Sequence, residues 1–354
     1  MKPKVEILFV VDPPNLIIES ILLILSIRTH IKNCEITACV PSGKSIALPK
    51  QFIDLAEKTD VKILEFQSSP FATKYPHGNK ILALCARDRV GGVIFLDTDT
   101  VVWREFNPSQ IIEQNSVSVC PEGRRTWGKK KFSQDWADVY SMFELPYPTK
   151  TVKMARTNAI SEPYYNAGVI AFEDGKNKGK TFPSIWLETA LRIDDNEKIA
   201  TKRPWLDQIS LPVSIERANL IANELDEEWN FSLSRKRETD EEISRINSAN
   251  PYIIHYHHEK FFNGTKFCNY FNDLISYYTI FEDYSQLTAE IQKRSRVMGE
   301  IEAQLRKIRS KNKEDRTLED IKELEILRKC KALEKSKPFK EAFSDWPDSI
   351  LNRN

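Results

Sequence analysis

The first hundred residues alternate between two apolar patterns, and that alternation constrains the fold more than any other feature of the chain. VEILFVV, residues 5–11, is a continuous apolar run of the kind carried by a strand covered on both faces. Leu16–His30 reads as a helix, Glu35–Val40 as a strand, and Ile46–Lys58 as a helix with Pro49 near its start. Val61–Phe66 is a further strand, Lys80–Arg89 a helix, and Val93–Leu96 a strand. Strand, helix and strand in repetition call for parallel strands with helices packed on the faces of the sheet. Ligands of such sheets bind beyond the carboxyl ends of the strands. The loops Asp12-Pro13-Pro14-Asn15 and Asp97-Thr98-Asp99 each follow a strand directly, so both belong to that edge.

The rhythm loosens after Val102. Ser116–Cys120, Ala167–Phe172 and Pro251–Tyr256 read as strands, Thr181–Arg192 and Trp205–Leu211 as helices, and the globular part ends near residue 280. The segment LIIESILLILSI, residues 16–27, spans twelve residues and includes Glu19. A bilayer span needs roughly 20 apolar residues. A strand precedes the segment, which is not a signal-peptide layout. It is read as a buried core helix.

Lysine and arginine total 52 and aspartate and glutamate 51, a net charge of +1, so no global field points to nucleic acid or an anionic membrane. The six cysteines contain no C-x-x-C pair, which suits small buried groups in a reducing, cytoplasmic compartment.

The last seventy residues change character. Leu287, Ile291, Met298, Ile301, Leu305 and Ile308 form a helical stripe, interrupted at Ser310–Arg316 and resumed by Leu318, Ile321, Leu324 and Leu327. This predicts a helical hairpin over 281–336 and a tail over 337–354. The hairpin either packs on its own body or joins chains into a homo-oligomer.

Asp97 and Asp99 stand at i and i+2, which on an extended strand puts both carboxylates on one face. Converging carboxylates at a strand end suit a hard divalent cation. Two enzyme classes share the local pattern VIFLDTDTVV: a haloacid-dehalogenase-type Mg²⁺ phosphatase, with Asp97 as nucleophile, and a nucleotide-sugar glycosyltransferase. A third possibility is a catalytically silent scaffold working through its C-terminal helices. The phosphatase wants a late lysine and a strand closed by paired acidic residues. The one candidate pair, Asp194-Asp195, follows a helical segment instead.

Further stretches favour the transferase. Lys80 lies in HGNKILAL, followed along the chain by Tyr165-Asn166-Ala167-Gly168-Val169-Ile170, Trp205-Leu206-Asp207-Gln208, Glu228-Trp229-Asn230 and Ile253-Ile254-His255-Tyr256. In this order they resemble the motifs of GT-A-fold glycosyltransferases, closest to the retaining glycosyltransferase family 8 and its relatives, over residues 1 to about 275. The resemblance implies a GT-A domain over 1–280. Its architecture would be a Rossmann-like, mixed and mainly parallel sheet flanked by helices. It implies transfer of a sugar from a nucleotide-sugar donor, a UDP-sugar, to an acceptor that is a glycan, a lipid-linked sugar or a small molecule, with retention.

By the same resemblance Asp97, Asp99 and His255 hold a cation, with His257 and His258 as competitors for the third place. Oxygen and imidazole together favour Mn²⁺ over Mg²⁺. Val10, Asp12, Lys80, Asp97, Asn166, Gly168 and Lys260 face the donor, and Asp207 and Gln208 face the reacting sugar. The chain departs from the family after His255: it reads HYHHEKFFNGTK, so Lys260 comes one residue early and Lys266 competes with it. Acceptor surfaces fall in the least patterned stretches, residues 121–165 and 230–250. Arg124, Arg125 and Trp127 there read as an exposed loop, with an acidic or sugar acceptor as the alternative.

Overall fold

The computed structural model describes residues 5–13, 15–67, 70–88, 91–128, 134–177, 179–234, 239–279, 282–289, 303–305 and 307–333. The opening alternation becomes β1 (Val5–Val10), α1 (Ile17–His30), β2 (Cys34–Pro41), α2 (Lys50–Lys58), β3 (Val61–Phe66), α3 (Asn79–Cys85) and β4 (Gly92–Leu96). These four strands are mutually parallel. Every residue of β1 is buried, because alternate side chains enter different cores: Ile7 and Phe9 on one face, Leu8 and Val10 on the other. α1 lies over the first core with ten of its fourteen residues buried. Among the described residues no helix is long and apolar enough to cross a membrane.

The chain then crosses to a second sheet. β5 (Thr100–Val102) follows β4 after only three residues. β6 (Ser116–Pro121) returns to the main sheet, α4 (Gln134–Ser141) packs through Trp136, and β7 (Val152–Lys153) pairs with β8 (Ile160–Ser161) in a short ribbon. β9 (Tyr165–Glu173) follows, then the ribbon β10 (Lys176–Asn177) and β11 (Lys180–Thr181), and helices α5 (Phe182–Asp195) and α6 (Leu206–Arg217). Further elements are β12 (Ile221–Glu224), β13 (Phe231–Ser232), α7 (Asp240–Ser248), β14 (Ile253–His255), α8 (Tyr270–Tyr278) and α9 (Leu318–Leu333), and the described residues 284–289, 303–305 and 307–309 are also helical.

The main sheet has the order β12-β6-β9-β4-β1-β2-β3. Six strands run one way and β9 runs against its neighbours β4 and β6. The mixed, mainly parallel sheet flanked by helices is the expected architecture. The reversed strand was not legible as such, because Ala167–Phe172 carries the same apolar run as a parallel strand.

Two consequences position the site. The start of β9, not its end, lies at the carboxyl edge of β4, so Asn166 and Gly168 arrive beside Asp97, whose amide donates to the Gly168 carbonyl at 2.7 Å. The second sheet, β13-β14-β5, pairs His255 with Thr100, which brings a residue from far along the chain next to Asp99.

At the C-terminal end Leu287 joins the main core, while Leu305, Ile308, Leu324 and Leu327 form a small core of their own. Leu318 and Ile321, two members of the expected stripe, are 80% and 52% exposed. Ile291, Met298, Ile301 and the tail 337–354 lie outside the described residues.

Candidate active site

The carboxyl edge of the main sheet opens into a cleft of about 770 Å³. Its floor answers the problem that Asp97 poses for a buried strand. Lys80, 6% exposed on α3, reaches the Asp97 carboxylate at 2.8 Å and Asp207 at 3.1 Å, and donates to the Ala167 carbonyl at 3.0 Å. One ammonium thus compensates two carboxylates and a carbonyl. Burial still holds the Asp97 carboxyl above its ordinary range, with Lys80 pulling the other way. Burial opposes the Lys80 charge, but Asp97 and Asp207 outweigh it and raise its pKa. Asp207 stands in the first turn of α6, and its other oxygen meets the Tyr75 hydroxyl at 2.9 Å.

Asp99 faces different partners. Its carboxylate, the His255 Nε2 and the His257 Nδ1 form a group of three donor atoms within 4.8 Å of one another. His255 lies 3.3 Å from Asp99, and the two imidazoles stack with centroids 3.9 Å apart. His257 gets there through a turn rather than by continuation of β14: its φ is +59°, a left-handed conformation rare for a residue with a side chain. The remote nitrogen of each ring is held. His255 Nδ1 meets Asn230 Oδ1 at 3.0 Å, and His257 Nε2 meets the Ser232 hydroxyl at 3.0 Å. Such partners set the tautomer and leave the other nitrogen free to ligate.

Burial opposes charge on Asp99, but His255 and His257 outweigh it and hold its carboxyl low. Burial likewise opposes the His255 imidazolium, and Asp99 reverses the balance and raises its pKa. His257 is pushed down to about 3 by burial and by His255, so it is neutral. One carboxylate and two imidazoles, each with its second nitrogen occupied, fit a first-row divalent cation. Asp97 is outside this group of three and is engaged with Lys80.

A chain of polar side chains runs from the histidines across the cleft. Asn230 Nδ2 donates to Asn166 Oδ1 at 2.8 Å, and Asn166 Nδ2 donates to Glu122 Oε2 at 2.8 Å. Gln208 Nε2 donates to the same Glu122 oxygen at 3.0 Å, and Gln208 Oε1 accepts from Tyr164 at 2.8 Å. Gly168 sits beneath this chain. A Cβ there would lie 2.7 Å from His255 Cε1 and 2.8 Å from Asn166 Oδ1. Sequence reasoning assigned no role to Glu122 or Ser232, and took Asn230 only as part of a motif. The W-N pair was the one available signal.

The other expected residues divide. Val10 and Asp12 line the cleft, with Asp12 paired to Lys44. His258 lies at the mouth, half exposed and 2.8 Å from Glu259. Lys260 does not line the cleft: its ammonium lies 5.3 Å from the Phe261 ring centroid. Lys266 donates to the Ala249 carbonyl. The reading of 124–127 as an exposed loop needs correction. Trp127 is 3% exposed and packs edge-on against Trp136, and Arg125 is held by Ser161 and the Ile160 carbonyl, while Arg124 lines the cleft.

Solved structures similar to this chain include three glycosyltransferases. The WbbM bifunctional glycosyltransferase is 16% identical with a TM-score of 0.43, covering 76% of this chain and 52% of its own. GlyE of Streptococcus pneumoniae TIGR4 is 12% identical with a TM-score of 0.45, covering 72% and 55%. Mouse xyloside xylosyltransferase 1 is 13% identical with a TM-score of 0.43, covering 72% and 98%. The chain therefore spans little more than half the length of the first two. No curated protein matches it in sequence. Residues 7–219, more than half of the chain, match the Rhodobacterales glycosyltransferase domain. That span carries Lys80, Asp97, Asp99, Glu122, Asn166, Asp207 and Gln208, and stops short of Asn230, His255 and His257. By this match the chain belongs to the Rhodobacterales glycosyltransferase domain family.

Proposed function

We propose that the protein is a metal-dependent glycosyltransferase that takes a UDP-sugar as donor and transfers the sugar with retention. The observation that carries this is the convergence of Asp99, His255 and His257 at the carboxyl edge of the sheet, with both remote ring nitrogens hydrogen-bonded. These three residues would hold the cation, and the mixed donor set favours Mn²⁺ over Mg²⁺. When bound, the cation supplies Lewis-acid stabilisation of the charge that grows on the departing diphosphate, an effect worth several kcal/mol.

The protein's own groups do the rest. Val10 and Asp12, which line the cleft, would meet the nucleoside. Asp97, oriented by Lys80, accepts hydroxyls of the ribose or sugar. Asp207 places negative charge near the anomeric carbon as positive charge develops there. Both Asp207 oxygens are engaged, one by Lys80 and one by Tyr75, and Glu122 accepts from two side-chain amides and from the Gly123 backbone. With these donors already on their oxygens, neither carboxylate is placed to take a proton from an acceptor, which favours retention over an inverting attack that needs a base. Gln208 and Asn166 hold their amides rigid through Glu122 and frame the sugar. The acceptor enters opposite the donor and is a glycan, a lipid-linked sugar or a small molecule.

Mn²⁺ with UDP at a hundred times its Kd should stabilise the protein by about 2.7 kcal/mol, a rise of several degrees in Tm. Asp99→Ala should abolish that rise and all Mn²⁺-dependent hydrolysis in a panel of nucleotide sugars, while keeping a cooperative melt. No shift with any nucleoside diphosphate would remove the donor reading.

A further inference from the structure

The loop after β6 carries charge that the donor does not need. Arg124 and Arg156 both line the cleft. The turn holding Arg156 is stitched to that loop: the Ala155 amide donates to the Glu122 carbonyl at 3.0 Å, and the Arg156 amide to the Gly123 carbonyl at 3.0 Å. A Cβ on Gly123 would come within 2.9 Å of Arg156 Cδ, so the arginine stem lies flat against the glycine backbone. The Arg156 guanidinium is anchored by the Ser234 carbonyl and by Glu242 at 2.7 Å, and its buried Nε has no hydrogen-bond partner among the described residues. Arg124 makes no hydrogen bond or ion pair with any described residue. Burial and then its arginine neighbours, Arg245 and Arg124, hold Arg156 below its ordinary pKa, with Glu242 opposing. Like charges held together beside a cleft, one of them without a counter-charge among the described residues, form a receptor for an anion.

The strand order says which anion. The nucleoside loop follows β1 and the cation site follows β4, whereas Arg124 follows β6, on the far side of β9. Adjacent strands lie about 4.8 Å apart, so Arg124 is three strands, roughly 14 Å, from the nucleoside loop. It lies two residues from Glu122, while Arg156 reaches the Ser234 carbonyl, next to the Ser232 hydroxyl that holds His257, so the subsite borders the cation site from the β6 side. The donor diphosphate already has the cation as its counter-charge. We propose that Arg124 and Arg156 form an oxyanion subsite for an acidic group, a phosphate or a carboxylate, carried by the acceptor. This rests on the donor reading above, which identifies the neighbouring ligand.

The test uses the full chain, with sulfate standing in for phosphate and acetate for carboxylate. Each is titrated calorimetrically into protein alone and into protein saturated with UDP and Mn²⁺. At least one of the two anions should bind equally in both conditions, its affinity should fall at least tenfold in Arg124→Ala, and Arg124→Lys should recover part of it. The Kd of UDP with Mn²⁺ should change by less than twofold in Arg124→Ala, and its Tm should match the parent. Competition between the anion and UDP would assign the arginine to the donor phosphates and overturn the subsite. So would equal anion binding by parent and Arg124→Ala, or no binding of either anion to the parent. If UDP with Mn²⁺ does not bind the parent protein, the donor reading fails by itself, and the Arg124 comparison still decides the anion site.

Discussion

Asn230 offers His255 only its side-chain oxygen, because its nitrogen is already given to Asn166. The His255 Nδ1 must therefore donate, which leaves Nε2, the nitrogen that faces Asp99, as the one that would ligate a bound cation. Asn230→Ala should weaken Mn²⁺ binding 10–100-fold, as loss of a ligand-orienting partner does elsewhere. The check is calorimetry with Mn²⁺ alone, and an unchanged Kd would remove Asn230 from the site. Glu19 presents a different case. It lines the cleft from α1, its buried Oε2 has no hydrogen-bond partner among the described residues, and burial, then Asp99 and Glu259, raise its pKa from 4.5 to about 6. A carboxyl whose folded pKa lies above its unfolded value loses stability as pH rises through that window. Ionised Glu19 thus costs the metal-free protein up to about 2 kcal/mol above pH 6. Glu19→Gln should raise Tm at pH 7.5 in chelator, and the gain should shrink toward zero near pH 4. A constant difference across that range would show that ionisation is not the cause. Asp99, His255, Asp207 and Gln208 were legible as motif residues. Glu122 was not, because its partners Asn166 and Gln208 stand 44 and 86 residues away and no local pattern links them.

At the scale of elements, the reversal of β9 does most to shape the site. A parallel strand would present its last residues at the cleft, whereas β9 presents its first, Tyr165 to Gly168. Gly168 is required there because the His255 ring and the Asn166 side chain occupy the space a Cβ would fill. Gly168 is tied to the end of β4 by the bond from the Asp97 amide, although its pairing with β6 is interrupted between Asn166 and Ile170, so the ring gives way first. Gly168→Ala should therefore fold, with a Tm lowered by a few degrees, and lose Mn²⁺ affinity by at least tenfold. Mn²⁺ binding at parental affinity would show that the contact is relieved elsewhere. The pairing of β5 with β14 has a similar effect on Asp99: the register that sets His255 opposite Thr100 is what brings carboxylate and imidazole together. Strand and helix positions in the first hundred residues were readable because their periodicity is local. Strand direction and cross-sheet register were not, since both are settled by contacts with distant segments.

At the scale of the whole molecule, two cores back the two faces of one sheet, and the cleft opens where its strands end. The cluster of Leu305, Ile308, Leu324 and Leu327 is separate from both cores, so the segment that carries it adds little to the stability of the body. Removing residues 303–354 should leave Tm within about 2 °C of the parent, and light scattering on both forms reads whether the segment joins chains. A large fall in Tm would mean that it packs on the body. The sequence by itself determined the alternation of strands and helices, the edge to which Asp97 and Asp99 belong and the need for a positive partner there. These follow from side-chain periodicity and from the cost of burying charge, and each acts within a few residues. Only the tertiary structure decided that Lys80 compensates Asp97, that His257 turns back to join His255 beside Asp99, and that Glu122, Arg124 and Arg156 line the same cleft. Those meetings depend on packing and register between segments as far apart as β5 and β14, and no short stretch of sequence carries that information.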